Sequence, residues 1–234
     1  MSTQHDDERA GTAELRSRLV RVLRTPGAGL LLDLDGTLVN SEPMQQAAFA
    51  TYFARRGWDV PPSLIGQFMG RRGQESFASI EGPWTGEDPV ALTAAVIECI
   101  DAEANPPQPV PGAGEAVRAW RALGLPVSLV TSAMRPWAEN ALELIGADGI
   151  GVGFVTAEDT PIGKPSPQPF LLGAERLGLD PALCLAAEDS AAGLASARAA
   201  GVGMTLGVMT TLDEDALLHA GADAAVPDLT VLIP

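Results

Sequence analysis

Two aspartates at the end of an apolar run are the residues with the most to say about chemistry. The stretch Gly29-Leu30-Leu31-Leu32-Asp33-Leu34-Asp35-Gly36-Thr37-Leu38-Val39 is apolar until Asp33. Such a run reads as a strand buried on both faces, as in a parallel sheet. Asp33 and Asp35 are two apart, so an extended chain puts both side chains on one face. Gly36 then lets the backbone turn sharply. Carboxylates closing a buried strand are costly unless something neutralises them. A divalent cation would do so. Magnesium favours hard oxygen ligands, one or two carboxylates together with phosphate oxygens of a substrate.

Three further apolar runs end in polar residues: Thr131-Ser132, the segment from Thr156 to Asp159, and Glu188-Asp189. Lys164 lies between the last two, inside Gly163-Lys164-Pro165-Ser166-Pro167. Singly, each has an ordinary structural reading. Thr131 or Ser132 could cap the next helix. Glu188-Asp189 could be a solvated turn with Ser190 as the N-cap. Lys164 alone reads as a surface lysine. Asp33 has no such easy alternative.

The elements that would position these residues alternate. Strands are expected over 29–34, 125–131, 150–155, 183–187, 203–208 and 224–226. Helices are expected over 115–123, 137–145, 167–177 and 191–200. In the third of these Phe170, Ala174 and Leu177 are in phase; in the second Ala138, Ala141, Leu142 and Ile145 face inward. This spacing means an α/β doubly wound parallel sheet, with ligands beyond the carboxyl ends of the strands.

Residues 43–111 break the alternation. Pro43 opens a helix with Met44, Ala47, Ala48, Thr51 and Tyr52 at helical spacing, and another over 88–102 shows Val90, Ala94 and Ile97 in register. No strand is expected there, and 105–111, with four prolines, reads as a stiff connector. The division is therefore an N-terminal tail and short helix over 1–28, a sheet core over 29–42 and 112–234, and a helical insert over 43–111. The tail runs from Met1 to about Gly11. The helix that follows, 13–24, offers Leu15, Leu19, Val22 and Leu23 to the sheet edge.

Composition narrows the class. The chain has 234 residues, 46% hydrophobic, which suits a folded globule. A net charge of −15 argues against nucleic acid as a partner. No apolar run is long enough to span a membrane. The first residues, with His5, Asp6, Asp7 and Glu8, lack a signal-peptide plan, so a cytoplasmic location is expected. Cys99 and Cys184 have no partner motif. Two buried free thiols are expected over a disulfide.

In order, these motifs resemble the four signatures of the haloacid dehalogenase superfamily. They are Asp33-Leu34-Asp35-Gly36-Thr37, the strand ending in Thr131, Lys164 before its prolines, and Glu188-Asp189. The resemblance covers the chain from about Gly29 onward. It implies a Rossmann-like core with a small all-helical cap inserted after the first strand. It implies that Asp33 attacks phosphorus and forms an aspartyl-phosphate, and that Asp35 protonates the leaving oxygen and then activates water. Thr131 and the Ser132 N–H would bind phosphoryl oxygens, and Lys164 would balance the gathered negative charge. Mg2+ would sit on Asp33, the Asp35 carbonyl and Asp189, with Glu188 direct or through water. Expelling halide needs no acid, whereas an alkoxide does, so Asp35 favours phosphate esters.

The insert resembles the cap of the β-phosphoglucomutase-like and sugar-phosphatase branch. Substrate recognition is expected there, from Arg71 and Arg72 in Met69-Gly70-Arg71-Arg72-Gly73. Arginine suits phosphate or polyol groups, although two solvated helix-end arginines fit the sequence equally. Glu42 could meet a substrate hydroxyl, and Trp137 reads as packing. Asn40 stands where many relatives carry Asp. The reading is a Mg2+-dependent phosphatase of a small sugar or polyol phosphate, as a monomer or homodimer, with no nucleic-acid or membrane partner. The alternatives are a β-phosphoglucomutase-like mutase, a phosphoglycolate-type phosphatase, and a non-enzymatic binding module that kept the fold.

Overall fold

The computed structural model describes residues 2–234, with side chains from residue 11 onward. The strands in chain order are β1 (Gly29–Leu32), β2 (Val39–Asn40), β3 (Gln108–Pro109), β4 (Val127–Val130), β5 (Gly153–Val155), β6 (Cys184–Glu188), β7 (Met204–Val208) and β8 (Ala224–Val226). Six of them form one parallel sheet in the order β5-β4-β1-β6-β7-β8. The helices are α1 (Ser2–Leu23), α2 (Glu42–Arg55), α3 (Pro62–Ile65), α4 (Gly73–Ser79), α5 (Pro89–Ile97), α6 (Ala113–Ala122), α7 (Arg135–Leu144), α8 (Gln168–Leu177), α9 (Ala191–Ala199) and α10 (Glu214–Ala220).

The continuous apolar runs become strands because helices cover both faces of the sheet. β1, β4, β6 and β7 are buried at every residue. Alternate residues go to opposite faces. Leu30, Leu32, Leu129, Leu185 and Leu206 meet Leu19, Leu23, Trp120, Ala138 and Leu142 of α1, α6 and α7. Leu31, Val130 and Ala186 meet Phe170, Ala174 and Ala197 of α8 and α9. Cys99 and Cys184 are free and buried.

Residues between β2 and β3 pack around a separate aromatic cluster of Phe49, Tyr52, Phe53, Phe68, Phe77 and Trp84. Phe53 stacks on Trp84 with ring centroids 5.0 Å apart, and Phe49, Phe68 and Phe77 pack against them at 5.4–6.3 Å. Such pairs prefer offset or edge-to-face geometry. The Trp84 indole N–H donates to the Ile80 carbonyl at 2.8 Å, so the buried ring carries no unpaired donor.

The structure corrects several expectations. The two connectors of this helical unit are not strand-free: Val39 pairs with Pro109 and Asn40 with Gln108 in a short antiparallel ribbon. Thr51 is exposed, and α2 packs through Met44, Ala48, Phe49, Tyr52 and Phe53. In α5 the inward residues are Leu92 and Val96, while Val90, Ala94 and Ile97 face out. That helix is apolar nearly all round, so its pattern could not select a face; the aromatic cluster does. The backbone expected as a tail is helical from Ser2, one helix through Leu23; Met1 lies outside the described residues. Helix α10, capped by Asp213 accepting from the Ala216 N–H at 2.9 Å, was not expected.

Candidate active site

Sheet order decides which polar ends meet. β1 lies between β4 and β6, with Leu32 opposite Leu129 and Ala187. The Asp33 N–H continues the ladder to the Ala187 carbonyl at 3.0 Å. The residues after β1, β4 and β6 therefore leave the sheet side by side, and Asp33 comes beside Glu188-Asp189.

Lys164 arrives from the loop before α8. Its ammonium donates to Asp33 Oδ1 and to Glu188 Oε1, each at 2.5 Å, and is 1% exposed. The surface reading of this lysine is thus excluded. Burial works against its charge, but Asp33 and Glu188 together hold its pKa above the usual lysine value. Asp33 Oδ2 is buried and has no hydrogen-bond partner. Burial pushes Asp33 up to about 7 despite Lys164. Asp189 is likewise raised well above the ordinary carboxylate value, by burial and then by Asp33 and Glu188.

Glu188 uses both oxygens. Oε2 accepts from the N–H groups of Asp189 and Ser190 at 3.1 Å and from Ser190 Oγ at 2.9 Å. Ser190 also caps α9, accepting from the Gly193 N–H at 3.1 Å. The cap expected for Ser190 is present, and the turn it opens is buried rather than solvated. Asp189 accepts from the Thr37 hydroxyl at 3.5 Å and from the Thr211 hydroxyl. Thr210, beside it, donates to the Gly36 carbonyl. Gly36 is required here: its φ is +82°, and a Cβ would collide with the Asp189 carboxylate. Thr210 and Thr211 carry no motif signal in the sequence and join the site only through these contacts.

Asp35 is half-buried, and one of its oxygens is heavily engaged. Oδ1 accepts from Ser41 Oγ at 2.5 Å, Gln45 Nε2 at 2.8 Å and Trp137 Nε1 at 2.9 Å. Burial raises its pKa, and Ser41 and then Trp137 act in the opposite direction. Trp137 therefore does more than pack. Glu42, next to Ser41, is 9% exposed with Oε1 unpartnered, and its pKa is raised by burial.

Thr131 is buried at the end of β4, where its hydroxyl oxygen accepts from the Ala133 N–H at 3.0 Å. Ser132 Oγ donates to the Gly70 carbonyl at 3.2 Å, which ties the sheet to the helical unit. Gly70 needs its φ of +71°, and a Cβ there would lie 2.5 Å from Ser190 Oγ. The two arginines diverge. Arg71, in the bend before α4, donates to Ser79 Oγ at the end of that helix at 3.1 Å. Arg72 is 7% exposed and donates to the Thr160 carbonyl at 2.8 Å and its hydroxyl at 2.5 Å. Glu75 accepts from the Gly163 N–H at 2.8 Å. Arg72 and Glu75 thus grip the loop that carries Lys164, through the two Nη groups of Arg72, while its Nε has no partner. The solvated reading of Arg72 fails for the same reason. The Thr156–Asp159 segment is structural: Asp159 accepts from the Thr156 N–H at 2.8 Å and from Arg176 at 2.7 Å.

The donor set fits a hard divalent cation. Carboxylate oxygens of Asp33, Glu188 and Asp189 lie within 4.8 Å of one another, all buried. Against Lys164 they leave two negative charges in excess when ionised, and Asp33 Oδ2 lacks any donor. A cleft of about 490 Å³ between Leu23, Gly27, Trp120 and Leu125 lies at the other end of the sheet, before β1 and β4, and brings no carboxylate.

A family model described as haloacid dehalogenase-like hydrolase matches residues 28–201. The validoxylamine A 7'-phosphate phosphatase of Streptomyces hygroscopicus subsp. limoneus is 35% identical over 204 residues, 86% of this chain and 93% of that protein. Hexitol phosphatase A of Escherichia coli (strain K12) is 34% identical over 176 residues, 74% of this chain and 79% of that one. A hydrolase structure from Pseudomonas syringae superposes with a TM-score of 0.80 at 24% identity, over 88% of this chain and 95% of that chain, a likeness of fold. The chain belongs to the haloacid dehalogenase-like hydrolase family. It is a hydrolase with the Rossmann-like parallel sheet of that family, and its relatives are named as phosphatases.

Proposed function

We propose that this protein is a Mg2+-dependent phosphatase that hydrolyses a small sugar or polyol phosphate monoester through an aspartyl-phosphate on Asp33. The observation that carries this reading is Asp33 itself: one oxygen held by Lys164 at 2.5 Å, the other buried without a partner. The names of two relatives, phosphatases of validoxylamine A 7'-phosphate and of hexitol phosphate, support the substrate class.

In this reading Asp33 Oδ2 attacks phosphorus, and the P–O bond to the sugar breaks. Asp35 gives its proton to the leaving oxygen, then removes one from the water that attacks the phosphoenzyme. Thr131 Oγ1 and the Ser132 N–H orient the phosphoryl oxygens. Lys164 holds Asp33 ionised and offsets the charge that gathers in the transition state. Asp33, the Asp35 carbonyl and Asp189 would hold Mg2+, which when bound supplies positive charge against the phosphoryl oxygens. Glu188, with both oxygens engaged, fixes Lys164 and the Asp189 turn and would support the metal from there, directly or through water. Residues 43–111 act as a cap over a core of 29–42 and 112–234, excluding bulk water when closed. Arg72 and Glu75 hold that cap on the Lys164 loop, and Glu42 and Arg71 remain the candidates for substrate hydroxyls or charge.

The test is phosphate release from a panel of hexitol, pentitol and hexose phosphates, with phosphoglycolate as a control, with and without Mg2+. Metal-dependent release from polyol or sugar esters is expected. Isomer interconversion without phosphate release would instead make the protein a mutase.

A further inference from the structure

Resting on the reading of Asp35 as the acid, we propose that Trp137 is a positioning residue that fixes which oxygen of Asp35 faces the substrate. A carboxylate has about four acceptor sites over its two oxygens. Three donors, Ser41, Gln45 and Trp137, all converge on Oδ1, at 2.5–2.9 Å. No donor among the described residues bonds Oδ2. Oδ1 is saturated, so the proton passing to the leaving oxygen travels through Oδ2. As the bond from Asp33 to phosphorus forms and the ester P–O bond breaks, that proton closes the leaving alcohol.

The three donors are not equivalent. Ser41 stands at the N-cap position of α2 with its hydroxyl turned to Asp35, Gln45 lies in the first turn, and the Gln45 amide also donates to Ser41 Oγ at 3.2 Å. Both belong to the segment that follows Asp35 and can move with it. Trp137 comes from α7, 102 residues away in sequence, in the helix behind Thr131 and Ser132. Ala138, Ala141 and Leu142 anchor that helix in the main core. An indole N–H can only donate, so Trp137 can neither flip its role nor take the proton. It ties the carboxyl of Asp35 to the element that orients the phosphoryl group, so acid and phosphoryl site are set in one frame.

The experiment compares kcat/KM for wild type, Trp137→Phe, Asp35→Ala and the double variant on a hexitol phosphate and on dinitrophenyl phosphate. A poor leaving group needs the proton and a dinitrophenolate does not. Trp137→Phe keeps an aromatic side chain, though a smaller one than indole, and removes the donor. It is expected to lose roughly tenfold or more on the hexitol ester and about twofold or less on the aryl ester. In the Asp35→Ala background it is expected to cost nothing further. Equal losses on both esters, or a full additional loss in the double variant, would overturn the proposal. A folding defect multiplies through Asp35→Ala, whereas a positioning defect does not, so the double variant separates them. If Asp35→Ala itself loses equally on both esters, the acid reading fails and this inference falls with it. If Asp35→Ala discriminates between the esters and Trp137→Phe does not, only the role of Trp137 is wrong.

Discussion

Replacing Lys164 with methionine isolates the charge at the centre of the site. The side chains have similar length, so packing against Phe170 is kept while the ammonium is lost; in the native protein Nζ lies 5.3 Å from the Phe170 ring centroid. Lys164 bonds Asp33 and Glu188 at 2.5 Å and is 1% exposed, so its removal leaves buried carboxylates unpaired. Breaking a buried pair from one side costs about 3–5 kcal/mol. The sign with pH follows from the carboxyls. The raised pKa of Lys164 keeps it charged in both folded and unfolded chains through the neutral range, so the ammonium itself adds no slope there. In Lys164→Met, Asp33 lacks the cation that opposes its burial, and its pKa rises above the native value of about 7. Protonation then relieves the repulsion at low pH. The stability deficit of the variant should be small near about pH 5 and full near about pH 8. Urea melts of both proteins without divalent metal, at those two pH values, measure it. A deficit that is absent at the higher pH, or the same at both, would refute the claim that Lys164 neutralises these carboxylates.

Other outcomes follow from the same geometry. Burial raises Asp33 to about 7 and Asp189 well above its usual value. That site stabilises the metal-free fold below about pH 4, and the contribution is lost as pH rises through about 7. Added Mg2+ should therefore raise the melting temperature more at about pH 8 than at about pH 5, read by calorimetry; an equal rise would mean that it binds elsewhere. Arg72→Met should speed proteolysis within 156–163 and lower kcat/KM roughly tenfold, because the guanidinium is what grips Thr160. Unchanged proteolysis would show that the loop is held by other contacts. Phe53→Ala, emptying the centre of the aromatic cluster, should cost about 3–5 kcal/mol in denaturant melts, and a loss below ~1 kcal/mol would mean the cluster closes around the gap.

Much of this fold is legible in the sequence because parallel strands covered on both faces must be apolar throughout. β1, β4, β6 and β7 announce themselves in that way, and the polar residues at their ends stand out by contrast. Asp33, Lys164, Glu188 and Asp189 are brought together as the motifs implied. What the sequence conceals is of two kinds. α5 is apolar on most sides, so its buried face depends on a neighbour and not on its own period. β2 and β3 are two residues each, too short to carry an alternation. The supporting side chains are hidden for another reason. Trp137 and Thr211 act through contacts distant in sequence and Gln45 through one ten residues back, and an isolated glutamine, tryptophan or threonine has no spacing that marks it. Arg72 is concealed in another way: a cation in a glycine-flanked loop suggests a ligand and gives no sign that it bonds the Thr160 carbonyl and hydroxyl.

The central claim is that Asp33 becomes phosphorylated. Acid-quenching the protein during turnover of a hexitol phosphate with Mg2+, followed by mass spectrometry of its peptides, reads this directly. The expected result is one phosphoryl group on the peptide holding Asp33, absent from Asp33→Asn, which should also be inactive. Turnover that persists in Asp33→Asn, or a phosphoryl group found on a different residue, would contradict it.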